Sequence, residues 1–138
     1  MTKELIIMLI DDNETDNLIT EKIIEITAIS SKVFSFSSAR KALDFLESNA
    51  GTPAQLPDLI FLDINMPLVN GDQFLLEMEA MSAYLAKDPK VVLLSSYDQS
   101  MKGRLGNNQV ISALSKPLLK ADFERIAKDF QKINLKVA

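Results

Sequence analysis

Three stretches of the chain are unbroken apolar runs that stop abruptly on a polar side chain. Leu5-Ile-Ile-Met-Leu-Ile10 ends in Asp11-Asp12-Asn13, Leu59-Ile-Phe-Leu62 ends in Asp63, and Val91-Val-Leu-Leu94 ends in Ser95-Ser96. Short apolar runs without alternation predict strands buried on both faces, as in parallel sheets covered by helices. A fourth strand is predicted over Lys32 to Ser37, where Val33, Phe34 and Phe36 partly alternate. A fifth, Val110 to Leu114, closes on Ser115-Lys116-Pro117. Elsewhere the apolar spacing changes to three and four. Ile19, Ile23 and Ile26 predict an amphipathic helix from about Glu14 to Ile29, with Thr15 and Asp16 as caps and acids for its N-terminus. Ser38 can cap a helix whose face is Ala39, Ala42, Leu43 and Leu46 and which ends at Asn49-Ala-Gly51. Phe74, Leu75, Met78 and Met81 line a third helix, and Phe123, Ile126, Phe130 and Ile133 a closing one from Ala121. Asp98 to Asn108 is a weaker helix, because Gly103 and Gly106 cost roughly 1 kcal/mol each relative to Ala.

Five strands alternating with five helices predict an α/β fold: a doubly wound, five-stranded parallel sheet of flavodoxin-like type with helices on both faces. In such sheets ligands bind beyond the carboxyl ends of the strands. The conspicuous polar groups all fall there. A length of 138 residues suits one domain, 1–138, and leaves no room for a separate output domain. With 47% hydrophobic and 25% charged residues the composition is that of a globular protein. The first apolar run is too short to span a bilayer and no cleavage site follows it, so a cytoplasmic protein without membrane insertion is expected. The chain has no cysteine and no histidine, which excludes disulfides, thiolate or imidazole metal sites, Ser-His-Asp triads and a phosphohistidine on this chain. A net charge of -4 with scattered Lys and Arg argues against direct nucleic-acid binding.

The predicted topology brings Asp11, Asp12 and Asp63 to one sheet edge. Three neighbouring carboxylates repel one another and call for a cation, and oxygen ligands without His or Cys favour Mg²⁺, with Mn²⁺ as the alternative. Ser95 adds a hydroxyl donor and Lys116 a mobile ammonium, both suited to a phosphoryl group. Asp63, surrounded by these groups, is the candidate nucleophile. Each residue also has an ordinary reading: the aspartates as turn and cap residues, Ser95 as a turn hydroxyl, Lys116 as a solvated side chain. Four strand ends that each supply the required chemical type outweigh those separate readings.

At these residues the sequence resembles the receiver domains of bacterial two-component response regulators. Leu9-Ile-Asp-Asp12, Asp63-Ile-Asn-Met-Pro67 with Asn70-Gly71, Ser95-Ser96 and Ser115-Lys-Pro117 match that family's signatures in order and approximate spacing. The resemblance spans nearly the whole chain. It implies phosphoryl transfer to Asp63 from a phosphohistidine on a sensor histidine kinase or histidine phosphotransfer protein, a metal ligand from the backbone carbonyl of Asn65, and slow self-catalysed hydrolysis. It also implies a downstream protein partner, reached through a changed binding surface. Two positions depart from the family pattern. Ser95 stands where Thr is commoner, which keeps the hydroxyl, and Ala113 stands where an aromatic residue often relays the phosphate signal.

Three rival functions differ in what they require. An Asp-nucleophile phosphatase acting on small molecules needs a second acid two residues after the nucleophile, where this chain has Asn65. A flavodoxin-like cofactor carrier needs a Ser-, Thr- and Gly-rich loop after the first strand, where this chain has Asp11-Asp12. A non-phosphorylated scaffold would have no use for a complete acceptor set.

Overall fold

The computed structural model describes residues 4–29, 31–64, 71–95 and 109–137, the last segment with side chains to Lys132. Strands β1 (Leu5–Ile10), β2 (Ser31–Phe36), β3 (Leu59–Asp63), β4 (Lys90–Ser95) and β5 (Val110–Ser115) form one sheet in the order β2-β1-β3-β4-β5. All four pairings are parallel. The described helices are α1 (Glu14–Glu25), α2 (Ala39–Ser48), α3 (Gly71–Met81) and α4 (Lys120–Val137), with a 3₁₀ turn at Pro53–Gln55. The glycine-bearing stretch Asp98 to Asn108, predicted as a fifth helix, lies outside the described residues.

The apolar runs are continuous because both faces of the sheet are covered. Side chains alternate between faces along a strand. Met8, Ile10, Ile60, Leu62 and Leu93 pack with residues of α2 and α3, among them Leu43 and Phe74. Ile7, Leu9, Phe61, Val92 and Leu94 pack on the other face with Ile24 of α1 and with Phe123 and Ile126 of α4. The rings of Phe61 and Phe123 lie 5.9 Å apart across that layer. Ser38 caps α2 by accepting the Lys41 N–H at 3.1 Å, and Ala39, Ala42, Leu43 and Leu46 are its buried face, as their spacing predicts. The β2 edge strand begins one residue earlier than expected, and Phe34 and Phe36 lie against Phe45 with centroids 5.3 and 5.4 Å away.

Helix α1 departs from its predicted pattern. Its buried residues are Asn17, Thr20 and Ile24, whereas Ile19 is 44% and Ile26 63% exposed, and the helix ends at Glu25. Its cap is Asn13, whose side chain accepts the Asp16 N–H at 3.1 Å, rather than Thr15. The cause lies in what the first two turns cover. They pack on strand ends, where backbone carbonyls need donors, and the Asn17 amide supplies them to Asp11 O at 3.0 Å and Phe36 O at 3.1 Å. An apolar residue at position 17 would leave those bonds unmade.

A buried carboxylate, Asp58, sits at the amino-terminal edge of the sheet. Asp58 accepts the Ile6 N–H at 2.9 Å and pairs with Lys87 at 3.1 Å, while Lys87 also donates to Leu56 O at 3.0 Å. This clamp ties β1, the loop before β3 and the loop before β4 together.

Candidate functional site

The sheet order reverses between β1 and β3, so the chain leaves these adjacent strands toward opposite faces and opens a crevice at their carboxyl ends. Ile10 pairs in register with Leu62, which sets Asp11 and Asp63, one residue further on, side by side. Both are buried, at 5% and 4% exposure, while Asp12 is exposed. On the other side of β3, Asp63 stands level with Leu94, and Ser95 ends β4 as a fully buried residue. Lys116 follows β5, its N–H held by Ser95 O at 2.8 Å. The structure therefore brings Asp11, Asp12, Asp63, Ser95 and Lys116 to one sheet edge, as their sequence positions predict. Asn65 lies outside the described residues.

The Lys116 ammonium, expected at this edge as a donor to a phosphoryl group, is enclosed by carboxylates rather than solvated at the surface. It is only 16% exposed and lies 2.6 Å from Asp11 Oδ2, 3.1 Å from Asp16 Oδ2 and 3.3 Å from Asp63 Oδ2. Asp16 is the residue that sequence reasoning assigned to the helix terminus alone. Burial would lower the Lys116 pKa, but the hydrogen bond and charge of Asp11, the charge of Asp63 and the bond to Asp16 outweigh it and hold the pKa above its ordinary value. Burial has the opposite consequence for Asp11. Loss of solvation, with a smaller push from the Asp63 charge, raises its carboxyl to about 6, against the lowering effects of the Lys116 bond and the Asn13 N–H at 2.9 Å.

The Asp11 shift makes a prediction for the metal-free protein. An acid whose folded pKa lies above its unfolded value binds its proton more tightly when folded, so stability is greatest at low pH and is lost as pH rises through about 6. In chelator, the Asp11 contribution should fall by on the order of 2 kcal/mol between pH 4.5 and 7. Urea unfolding of wild type and Asp11→Asn at the two pH values measures it. The variant should show a correspondingly smaller decline, and parallel declines would contradict the assignment. The Lys116 pKa is also raised, so its contribution has the same sign, but it is present throughout this window and is lost only as pH rises through that elevated pKa.

Asp11, Asp12 and Asp63 each offer a carboxylate oxygen, and these oxygens all lie within 4.8 Å of one another. Octahedral Mg²⁺ with bonds near 2.1 Å holds its ligand oxygens about 3 to 4 Å apart, so small side-chain adjustments suffice and the residues fit the ion. The donor set is all oxygen, which also matches the preference of a hard cation.

Residues 7–128 match the family model of the response regulator receiver domain. The chain belongs to that family. It is thus a receiver domain of two-component signalling, a class of signalling domain rather than a conventional enzyme. It is 29% identical to the probable methanogenesis regulatory protein FilR2 of Methanothrix harundinacea, over 91% of this chain and 81% of that protein. An uncharacterized response regulatory protein of Vibrio cholerae is 31% identical over 91% of this chain but only 47% of its own length. The chain likewise spans about half of the two-component response regulator ORR1 of Oryza sativa, 53% in the indica sequence. Among solved structures, a two component response regulator from Cytophaga hutchinsonii superposes with a TM-score of 0.83, covering 94% of this chain and 99% of that one at 23% identity, which supports the fold. The bacteriophytochrome response regulator AtBRR covers 94% of both chains with a TM-score of 0.75 and 26% identity. The flavodoxin-like sheet expected from the strand pattern is the fold these receivers share. Among the described residues no helix is long and apolar enough to cross a membrane.

Proposed function

We propose that this receiver domain accepts a phosphoryl group on Asp63 from a phosphohistidine donor, with Mg²⁺ or Mn²⁺ held by Asp11, Asp12, Asp63 and the backbone carbonyl of Asn65. The observation that carries the reading is the meeting of the buried Asp63 carboxylate with a lysine ammonium at 3.3 Å and two further carboxylates, all at the carboxyl edge of the sheet. A carboxylate oxygen of Asp63 attacks phosphorus in line with the leaving group. The new P–O bond forms as the P–N bond to the donor imidazole breaks, and the electron pair leaves on that nitrogen. Lys116 is placed to pair with the phosphoryl oxygens as charge gathers on them, and the Ser95 hydroxyl to donate to one of them. When bound, the cation neutralises the carboxylate cluster and the entering phosphoryl oxygens. Water later hydrolyses the acyl phosphate slowly, returning the carboxylate.

Receiver domains are phosphorylated by histidine kinases or phosphotransfer proteins, and such a protein is the proposed donor here. The chain is proposed to act in the cytoplasm and to pass its state to a protein partner through a changed binding surface. Ala113, on β5 and partly buried beside the α2–α3 core layer, offers no ring to relay the change. The differential contacts are therefore assigned to Ser95 and Lys116, since a ligand shifts an equilibrium only through unequal interaction with the two states.

Intact mass after incubation with acetyl phosphate tests the reading without knowledge of the donor. With Mg²⁺ one phosphoryl group should be added per chain, and with chelator none, because three carboxylates repel an anionic donor unless a cation offsets them. Labelling of equal extent in chelator would contradict the metal assignment.

A further inference from the structure

Asp16 stands at the third position of α1, three residues after the Asn13 cap. An acidic side chain there ordinarily reaches back to the cap residue's own N–H, completing a capping box. In this protein that N–H is already taken, because Asn13 N donates to Asp11 Oδ1 at 2.9 Å. The Asp16 carboxylate turns instead to Lys116, with Oδ2 3.1 Å from the ammonium. The capping-box bond is therefore closed to Asp16, whose charge still suits the helix N-terminus but whose side-chain hydrogen bond goes to Lys116.

The three carboxylates around Lys116 are not equivalent. Asp11 and Asp63 belong to the group whose oxygens lie close enough to share a cation, and Asp16 does not. A cation bound there draws on the charge of Asp11 and Asp63, which leaves Asp16 as the partner that still depends wholly on the ammonium. The pair borders an open depression of ≈ 220 Å³ lined by Asp16, Ile19, Thr20, Lys116 and Pro117, so water and small reagents reach the lysine from the α1 side.

From this arrangement we propose that Asp16 is a positioning residue that holds Lys116 on the α1 side of the site, in competition with the anionic group arriving at Asp63. The inference rests on the phosphoacceptor reading of Asp63 for its consequence, though not for its geometry. While Asp16 holds it, the ammonium must exchange one carboxylate for the phosphoryl oxygens, which slows acceptance. Removing the charge frees the lysine for the incoming group.

The test compares wild type, Asp16→Asn and Asp16→Glu as full chains, with acylation of Lys116 by acetic anhydride followed by peptide mass mapping. In saturating Mg²⁺, Asp16→Asn should acylate at Lys116 roughly two- to fivefold faster than wild type, the range expected for loss of one partly exposed ion pair. Without Mg²⁺ the difference should shrink, because Asp11 and Asp63 then still hold the ammonium. Asp16→Glu should resemble wild type. Mg²⁺ affinity should stay within about twofold in Asp16→Asn, as expected for a carboxylate outside the cation's ligand group. The initial rate of labelling by acetyl phosphate should rise by a similar roughly two- to fivefold factor. Equal acylation of Lys116 in Mg²⁺-loaded wild type and Asp16→Asn, or slower labelling of Asp16→Asn, would overturn the inference. Absence of labelling in every protein, with the Lys116 difference intact, would support the positioning role and refute the phosphoacceptor reading separately.

Discussion

Replacing Asp63 by Asn is expected to reduce phosphoryl incorporation from acetyl phosphate in Mg²⁺ from one group per chain to none. The amide keeps the size and most of the packing of the carboxylate, but its oxygen is a poor nucleophile and it cannot form an acyl phosphate. Other carboxylates do not replace it readily. Asp11 is buried against Lys116 and the Asn13 N–H, and Asp12, though exposed, is assigned to the cation. The fold should survive, because Lys116 keeps Asp11 and Asp16 as partners and the acidic cluster loses one of its repelling charges. Circular dichroism and urea unfolding of Asp63→Asn provide the control. A variant that folds and still takes up one phosphoryl group would place the acceptor elsewhere.

The second large effect concerns stability. Lys116→Met retains the apolar stem of the lysine while deleting the ammonium that faces Asp11 and Asp63, and both of those carboxylates are buried. Removing one side of a buried ion pair leaves the other charge uncompensated, which costs on the order of 3 kcal/mol. In chelator the variant should therefore unfold at markedly lower urea, with part of the loss recovered at low pH as Asp11 takes up a proton. Saturating Mg²⁺ should recover most of it at pH 7, because a cation held by the same carboxylates substitutes for the lost charge. An equal loss with and without Mg²⁺ would contradict the assignment, since it would show that the deleted ammonium does not act by offsetting the charge of these carboxylates.

The parts of the fold legible in the sequence are those where a single requirement governs each position. The runs in β1, β3 and β4 must be apolar on both sides because helices cover both faces, so they stand out without any periodicity. Helix α2 covers one core layer and presents a clean stripe of Ala39, Ala42, Leu43 and Leu46. Helix α1 serves two requirements at once. Its last turns bury Ile24, but its first turns must feed hydrogen-bond donors to the ends of β1 and β2, so Asn17 occupies the buried stripe with Thr20, and Ile19 is left outside; the two bonds come from Asn17. Of the predicted face Ile23 does pack against the core, while placing Ile19 and Ile26 beside it is the natural error when apolar spacing is the only guide.

The candidate site was legible for a related reason. Strand ends are sharp in this sequence, and Asp11, Asp63, Ser95 and Lys116 stand immediately at or after them. What spacing could not convey is pairing across the chain. The link between Lys116 and Asp16 joins residues a hundred positions apart and depends on Asn13 giving its N–H to Asp11, a detail of local geometry with no periodic signature. Asp58 was missed for the same reason. Between Pro57 and the β3 run it reads as a loop acid, and only the parallel register shows that it meets Ile6 N–H and Lys87.

The central claim is most directly tested by locating the phosphoryl group on the chain. Protein incubated with acetyl phosphate and Mg²⁺ is reduced with borohydride, which converts an aspartyl phosphate to homoserine, and is then mapped by peptide mass spectrometry. The account predicts homoserine at position 63 and nowhere else. Reduction at Asp11 or Asp12 instead, or a borohydride-resistant phosphate on the Ser95 hydroxyl, would contradict it.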